Sequence, residues 1–321
     1  MRIHKIDEQS MVEYEYLVKK YGAIFNSKKW LDLFDEKVSI YGIFDKGENL
    51  IGGFHLYEKK RFGLTICCDA PFTPTTGPFF KLESKNPVAI MNKWKKVLTK
   101  IANFIENRRY HVVSISLDRN VIDTQPFIWM KYKVAPRYTY ILDLRKSLVE
   151  IRSDMSSERR KNINKGIKDG LIVKQNYDNK LVKSFALNTF TRQGLKVNAS
   201  YLDKILFDYA DETNSFSFVV YEEDIPISVI FCVHDNKSVY YLLGGYSERK
   251  KHQGGGALAF WETIKYAKNL GLLNYDFEGS EIQNIEKYFR GFGGSIFPYY
   301  RINKARLCLE ILLKFSKREL F

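Results

Sequence analysis

The chain has 321 residues, with 51 Lys and Arg against 37 Asp and Glu, so its formal net charge is +14 and an anionic partner is expected. That length allows two domains with cores of their own and excludes a disulfide-stapled miniprotein. A composition of 45% hydrophobic and 15% aromatic residues excludes long disorder. The opening MRIHKIDEQSMVEYEY has no apolar run behind a basic region, and no window reaches the ~18 uninterrupted apolar residues that span a bilayer. A cytoplasmic protein without a transmembrane segment is expected. Cys67, Cys68, Cys232 and Cys308 include an adjacent pair and no C-x-x-C, and the five histidines are scattered singly, so neither disulfides nor a metal site is expected.

The first half reads as mixed α/β. An amphipathic opening built on Val12, Tyr16 and Leu17 precedes a short helix near Lys28 to Phe34, capped by Asn26 or Ser27. Val38 to Phe44 and Leu50 to Tyr57 flank a polar turn and predict a hairpin, with Leu64 to Cys68 as the next strand. Pro71, Pro74, Gly77 and Pro78 make a stiff loop. Apolar spacing through Trp94, Val97, Leu98, Ile101, Phe104 and Ile105 predicts a helix over 92–107. Val112 to Leu117 and Tyr138 to Leu142 close the half as strands.

After Leu144 a comparable order begins again: a long helix, mixed helices, three strands, a helix, a strand, a helix and a last strand. The expected division is therefore residues 1–143 and 144–321, with the last helix packing on the first lobe. In the long helix, Ile151, Met155, Arg159, Ile163 and Ile167 recur every four residues, so Arg159 interrupts an apolar row and calls for a carboxylate or phosphate partner. Lys161, Lys165 and Lys168 line a solvated face. Arg192 is an anion contact or a surface residue.

Phe216 to Tyr221, Ile225 to His234 and Val239 to Gly244 form an antiparallel meander that feeds Lys251-His252-Gln253-Gly254-Gly255-Gly256 and then a helix. That succession is not a Rossmann unit. Glycines opening a helix expose N–H groups that cradle phosphate, and they also serve as a flexible link to a core helix. The next strand, Asn274 to Ser280, places Asp276 and Glu278 on one face by alternation. One of them is an anchor or general base for an amine, or both are ion-pair partners of nearby cations. Ser280, three residues before Gln283, has the spacing of a helix cap rather than a nucleophile.

YYLLGGYSE, GGGALAFWETIKYAKNLG, YDFEGSEIQNIEKYFRGFGG and PYYRI between Tyr240 and Ile302, with RRKNINK at Arg159 to Lys165, resemble the second lobe of the FemABX peptidyltransferases and related GNAT-superfamily acyltransferases. The resemblance spans most of residues 140–303, and the first half agrees more loosely. It implies an α/β fold of the α+β type: two tandem GNAT-like lobes, each a mostly antiparallel mixed sheet flanked by helices. It also implies transfer of an acyl or aminoacyl group from a CoA thioester, acetyl-CoA or another acyl-CoA, or from aminoacyl-tRNA, to an amine. The acceptor would be a cell-envelope or nucleotide-sugar precursor held between the lobes.

Residue by residue, Lys251 stands at the Gln/Arg position of the acetyltransferase pattern, with Gly254, Gly255 and Gly256 as the donor loop. Lys28 and Trp30 match a Lys-x-Trp element that meets an acceptor's diphosphate and base; as residues alone they also read as a helix start with a core Trp. Arg159, Arg192 and Tyr241 complete the expected acceptor contacts. Phe289-Arg290-Gly291-Phe292 matches a Phe-Lys-Gly-Phe pattern whose lysine stabilises transition-state charge. Arginine keeps that charge but cannot act as a neutral base. The expected mechanism is direct attack by an amine, with Arg290 and backbone N–H groups stabilising the oxyanion and Glu278 or Asp276 assisting deprotonation.

Two other classes compete. A non-catalytic RNA-binding module would explain the charge and aromatic content, although no RNP, helix-turn-helix or zinc-finger pattern occurs. A lipid-surface protein would use Leu307 to Phe315, beside Lys314, Lys317 and Arg318, as an interfacial helix.

Overall fold

A computed structural model describes residues 1–279, 281–316 and 320. The chain divides into two units, Met1–Arg137 with Pro298–Phe321, and Tyr138–Phe297.

The first unit starts with β1 (Arg2–Lys5) and α1 (Glu8–Tyr21), the latter capped by Asp7, whose Oδ1 accepts from Ser10 N at 2.8 Å. The buried face of α1 is Tyr14, Leu17 and Val18, whereas Val12 and Tyr16 are exposed, so the expected apolar face is rotated. Next comes α2 (Lys28–Leu31), with Ser27 as its cap. β2 (Val38–Phe44), β3 (Leu50–Arg61), β4 (Leu64–Cys68) and the short β5 (Phe79–Phe80) follow. α3 (Pro87–Asn107) begins five residues earlier than its apolar spacing suggests because Asn86 caps Ala89 N and Pro87 takes the first turn. β6 (Val112–Ser116), α4 (Gln125–Trp129) and β7 (Lys133–Asp143) complete the first stretch. β1 and α4 carry too little pattern to be read from sequence.

In the second unit the expected long helix is two, α5 (Leu148–Asp154) and α6 (Ser157–Lys168). Met155 is extended and the Ser156 hydroxyl caps Arg159 N at 3.2 Å, restarting the helix. β8 (Ile172–Asn176), unread in the sequence, precedes α7 (Asn179–Arg192) and α8 (Ala199–Asp203). The meander is β9 (Ser215–Glu222), β10 (Ile225–His234) and β11 (Ser238–Tyr246). It leads to α9 (Gly255–Asn269), β12 (Asn274–Asp276), α10 (Gln283–Arg290), β13 (Ser295–Ala305) and α11 (Leu307–Ser316). Ser280, expected to cap α10, lies outside the described residues, as do Lys317 and Arg318.

The strand orders explain where the units divide. In the first unit they run β1-β2-β3-β4-β6-β13, with β5 on β3; in the second, β8-β9-β10-β11-β12-β7. Within each unit the strands pair antiparallel except for one parallel pair, β4 with β6 and β11 with β12. Each is closed by the other half's last strand: Arg301–Ala305 pair with β6, and Ile141–Asp143 pair with β12. The division anticipated after residue 143 therefore falls inside β7, and residues from Pro298 onward return to the first unit.

Each unit has its own apolar core. One gathers Val97, Leu98, Ile101, Ile115 and Ile302, the other Ile163, Val220, Ile264, Tyr275, Phe277 and Phe292. Trp30 is fully buried, edge-on to Phe25 at 5.0 Å, with its indole N–H donating to Thr73 Oγ1 at 2.9 Å. Trp30→Ala should lower unfolding free energy by about 3–5 kcal/mol through the lost transfer energy and the cavity left behind. Urea denaturation of the variant checks this.

Candidate active site

The second unit opens where β12 stops. β11 and β12 pair in parallel only from Ser238–Tyr240 to Asn274–Asp276, and β11 then continues alone on that side through Tyr246. A register shift sets Phe231 opposite Leu243 but Cys232 opposite Tyr241, so Leu242 bulges. β12 ends because Asp276 Oδ1 accepts from Glu278 N at 2.9 Å, while Glu278 and Gly279 take left-handed backbone (φ 59° and 64°). A Cβ on Gly279 would stand 2.0 Å from the Tyr138 carbonyl oxygen, so glycine is required there. Strand alternation therefore does not extend to Glu278, and the shared face expected for the two carboxylates does not form. Asp276 is buried and its Oδ1 also accepts from Thr139 Oγ1 at 2.5 Å; Glu278 is half-buried.

The glycine turn packs at the start of α9. Gly254 N donates to His252 Nδ1 at 3.0 Å, His252 Nε2 meets Asp169 Oδ2 at 3.0 Å, and Gly255 N donates to the His252 carbonyl at 3.2 Å. A Cβ at Gly254 would lie 2.5 Å from the Asn162 carbonyl oxygen and 2.6 Å from Gly166 N, so this glycine lets α6 and α9 approach. The tightest neighbour of a Cβ at Gly256 would be the Tyr288 hydroxyl at 3.0 Å, with Ser228 Oγ at an ordinary 3.9 Å. Lys251 is exposed beside the turn.

Arg159 lies against the same place. It is 3% exposed, with its guanidinium carbon 4.1 Å above the Tyr288 ring and 5.5 Å from that of Phe292. The Asn162 amide, oriented to satisfy its neighbours, accepts from Arg159 Nη1 at 3.2 Å. The exposed Glu158 carboxylate stands off at 3.6 Å, and among the described residues the buried Nε has no acceptor. The partner demanded of a buried arginine is thus supplied in part by π-faces and an amide. Burial pushes the Tyr288 phenol up to about 12, against a smaller opposing pull from Arg159. It is therefore a hydrogen-bond donor at neutral pH. Sequence reading missed Tyr288, although its place two residues before Arg290 put it within the motif.

The remaining candidates are dispersed. Arg290 ends α10 and its side chain is 60% exposed; Nε donates to Glu286 Oε1 at 2.9 Å, so its carboxylate partner is Glu286 rather than Asp276 or Glu278. Glu286 also accepts from the Tyr140 hydroxyl, and that hydrogen bond, together with Arg290, holds its carboxyl below the usual range. Tyr241 packs on Phe260 (4.9 Å) and Phe289 (5.5 Å), and burial raises its phenol. Arg192 stacks on Tyr246 (3.8 Å) and donates to the Tyr246 carbonyl and Thr189 Oγ1, fastening α7 to the end of β11. Lys28 pairs with Asp32 at 2.5 Å and, with Trp30, belongs to the first unit.

The segment holding the meander, the glycine turn and α10 matches a family model described as an acetyltransferase (GNAT) domain over residues 196–290. Among curated proteins, the aminoacyltransferase FemA of Staphylococcus aureus (strain MW2) is 30% identical over 111 residues, covering 30% of this chain and 26% of FemA. The matched region spans about a quarter of that relative's length. Among solved structures, FemX superposes with a TM-score of 0.68 at 15% identity, covering 94% of this chain and 97% of FemX. A tandem GNAT protein from the clavulanic acid biosynthesis pathway superposes at 0.50 and 8% identity, over 83% and 82% of the two chains. The fold is thus a pair of GNAT-like units. The chain is thus similar to FemA in sequence over 111 residues and to FemX in fold.

The two outer glycines of the turn should behave differently. Gly254→Ala must displace backbone of α6 and should lower the melting temperature by several degrees, whereas Gly256→Ala presses on no backbone, its tightest contact being the end of the Tyr288 side chain, and should melt as the native protein does. Thermal denaturation followed by circular dichroism distinguishes them.

Proposed function

We propose that the chain transfers an acyl or aminoacyl group from a phosphate-bearing carrier, an acyl-CoA or an aminoacyl-tRNA, to an amine. The observation that carries this reading is the buried, incompletely partnered Arg159 beside the glycine-lined start of α9. A helix N-terminus and a desolvated guanidinium both favour an anion. The GNAT-domain match covers the turn and α10, and the FemA similarity adds aminoacyl transfer to the same class.

The carrier supplies an activated acyl carbon. Attack by the amine nitrogen forms a C–N bond as the C–S or C–O bond to the carrier breaks, and the amine loses a proton. In the second unit, Gly256 and Lys251 flank the start of α9 and receive the carrier's phosphate. The Tyr288 hydroxyl donates a hydrogen bond toward the departing atom, and Arg290 supplies positive charge for the oxyanion. Glu278, the more accessible of the two carboxylates, assists deprotonation, while Asp276 shapes the turn that presents it.

Incubation of the purified protein with a panel of acyl-CoA thioesters and charged tRNAs, with products read by mass spectrometry, tests the activity. Salt-sensitive binding that is equal for charged, uncharged and unrelated RNA, without transfer product, would favour a non-catalytic RNA-binding module instead.

Arg290→Ala should cut turnover about 100-fold and Arg290→Lys should retain a sizeable part. Because an exposed i,i+4 pair contributes only about 0.3–0.5 kcal/mol, the melting temperature should scarcely move in either variant. Normal turnover in a folded Ala variant would end the catalytic assignment. Tyr288→Phe, which removes one hydroxyl, should lower turnover by about 100-fold with carrier affinity little changed. Steady-state kinetics beside equilibrium binding separate the two effects.

A further inference from the structure

One end of the first unit's sheet combines positive charge with exposed apolar side chains. The β3–β4 hairpin turns there, with Arg61 paired to Leu64, and its tip residue Phe62 is 88% exposed. Beside it, Thr65 and His111 exchange hydrogen bonds: Thr65 N donates to His111 Nδ1 at 3.0 Å and His111 N to the Thr65 carbonyl at 2.9 Å. Arg306 N then donates to the His111 carbonyl at 3.0 Å, and Arg306 Nη2 to the Arg109 carbonyl at 3.1 Å. The hairpin tip, the end of α3 and the start of α11 therefore converge. Lys59, Lys60, Arg61, Arg109 and Arg306 are exposed around that point, while the exposed Arg108 lays its guanidinium over the Tyr41 and Phe104 rings.

α11 presents the apolar part of this surface. At ~100° per residue, Leu307, Ile311, Phe315, Cys308 and Leu312 occupy one arc of ~140°. All five are exposed, Phe315 at 87%, whereas Leu309 and Leu313 on the other side are half-buried. The helix thus turns its greasier arc outward, the reverse of a helix packed on a core.

We propose that this end of the first unit docks on an anionic phospholipid bilayer, with Phe62 and the outer arc of α11 inserted at the headgroup level and the surrounding cations set against lipid phosphate. The chemistry selects this occupant. Aliphatic side chains such as Leu307, Ile311 and Leu312 offer RNA neither hydrogen bonds nor stacking, and a symmetric contact between two copies would bring the same cations face to face. Apolar wedges ringed by Lys and Arg suit a negatively charged interface. The proposal is independent of the catalytic reading.

Cosedimentation with phosphatidylglycerol–phosphatidylcholine vesicles, against phosphatidylcholine alone, tests it. The native chain should partition onto the anionic vesicles and be released by salt. Phe62→Ser/Phe315→Ser should weaken partitioning about ten-fold or more, and Lys60→Glu/Arg61→Glu should abolish the preference for anionic lipid. All four positions are exposed, and circular dichroism verifies that each variant is folded. Failure of the native chain to bind anionic vesicles overturns the proposal, as does native-like binding by both variants. A solution dimer that the Phe62→Ser/Phe315→Ser variant dissociates, without vesicle binding, would assign the surface to a second copy and also overturn it.

Discussion

The second unit is organised by a strand that ends early. Asp276 turns its carboxylate onto the backbone of Glu278, the chain passes through two left-handed residues, and β12 is over after pairing three residues of β11. β11 does not end with it. Beside it, Phe260 of α9, Tyr288 and Phe289 of α10 and Phe292 just after α10 gather against Tyr241 and Phe277.

Arg159 belongs to the same arrangement. Burying a guanidinium carries a penalty of several kcal/mol, and a desolvated cation–π contact returns about 2. The Tyr288 and Phe292 faces and the Asn162 amide therefore offset only part of it. Such a group is tolerated where packing holds it from several sides, as Gly291 and the Tyr288 and Phe292 rings do here. The unmet share falls on the buried Nε, which lies beside Gly291.

Much of the fold was legible because its signals are local. The β2–β3 hairpin, the β9–β10–β11 meander and the α9 stripe announce themselves through alternation, turn residues and helical spacing. The site was less legible because its decisive features are not local. Nothing near Gly254 in sequence reveals that Asn162 and Gly166 press on it, and the carboxylate that meets Arg290 is Glu286, one helical turn away, rather than the two at the strand end. Trp30 carried two readings, a ligand contact and a core residue; only its distant neighbour Thr73 shows how its indole N–H is satisfied. The break between α5 and α6 was hidden by an apolar spacing that runs unbroken across Met155.

The exchange of closing strands has a consequence for biosynthesis. The first unit lacks its final strand until residues 301–305 have been made, because these pair with β6, bury Ile302 and bring Arg301 to Asp69 at 2.5 Å and Asn303 to Ser114 at 2.7 Å. The second unit has all its strands by Asp276 and its helices by Arg290. On the ribosome, the half begun first is therefore the half finished last, and β6 amides in nascent chains stopped before Pro298 should exchange with solvent faster than those of the complete protein.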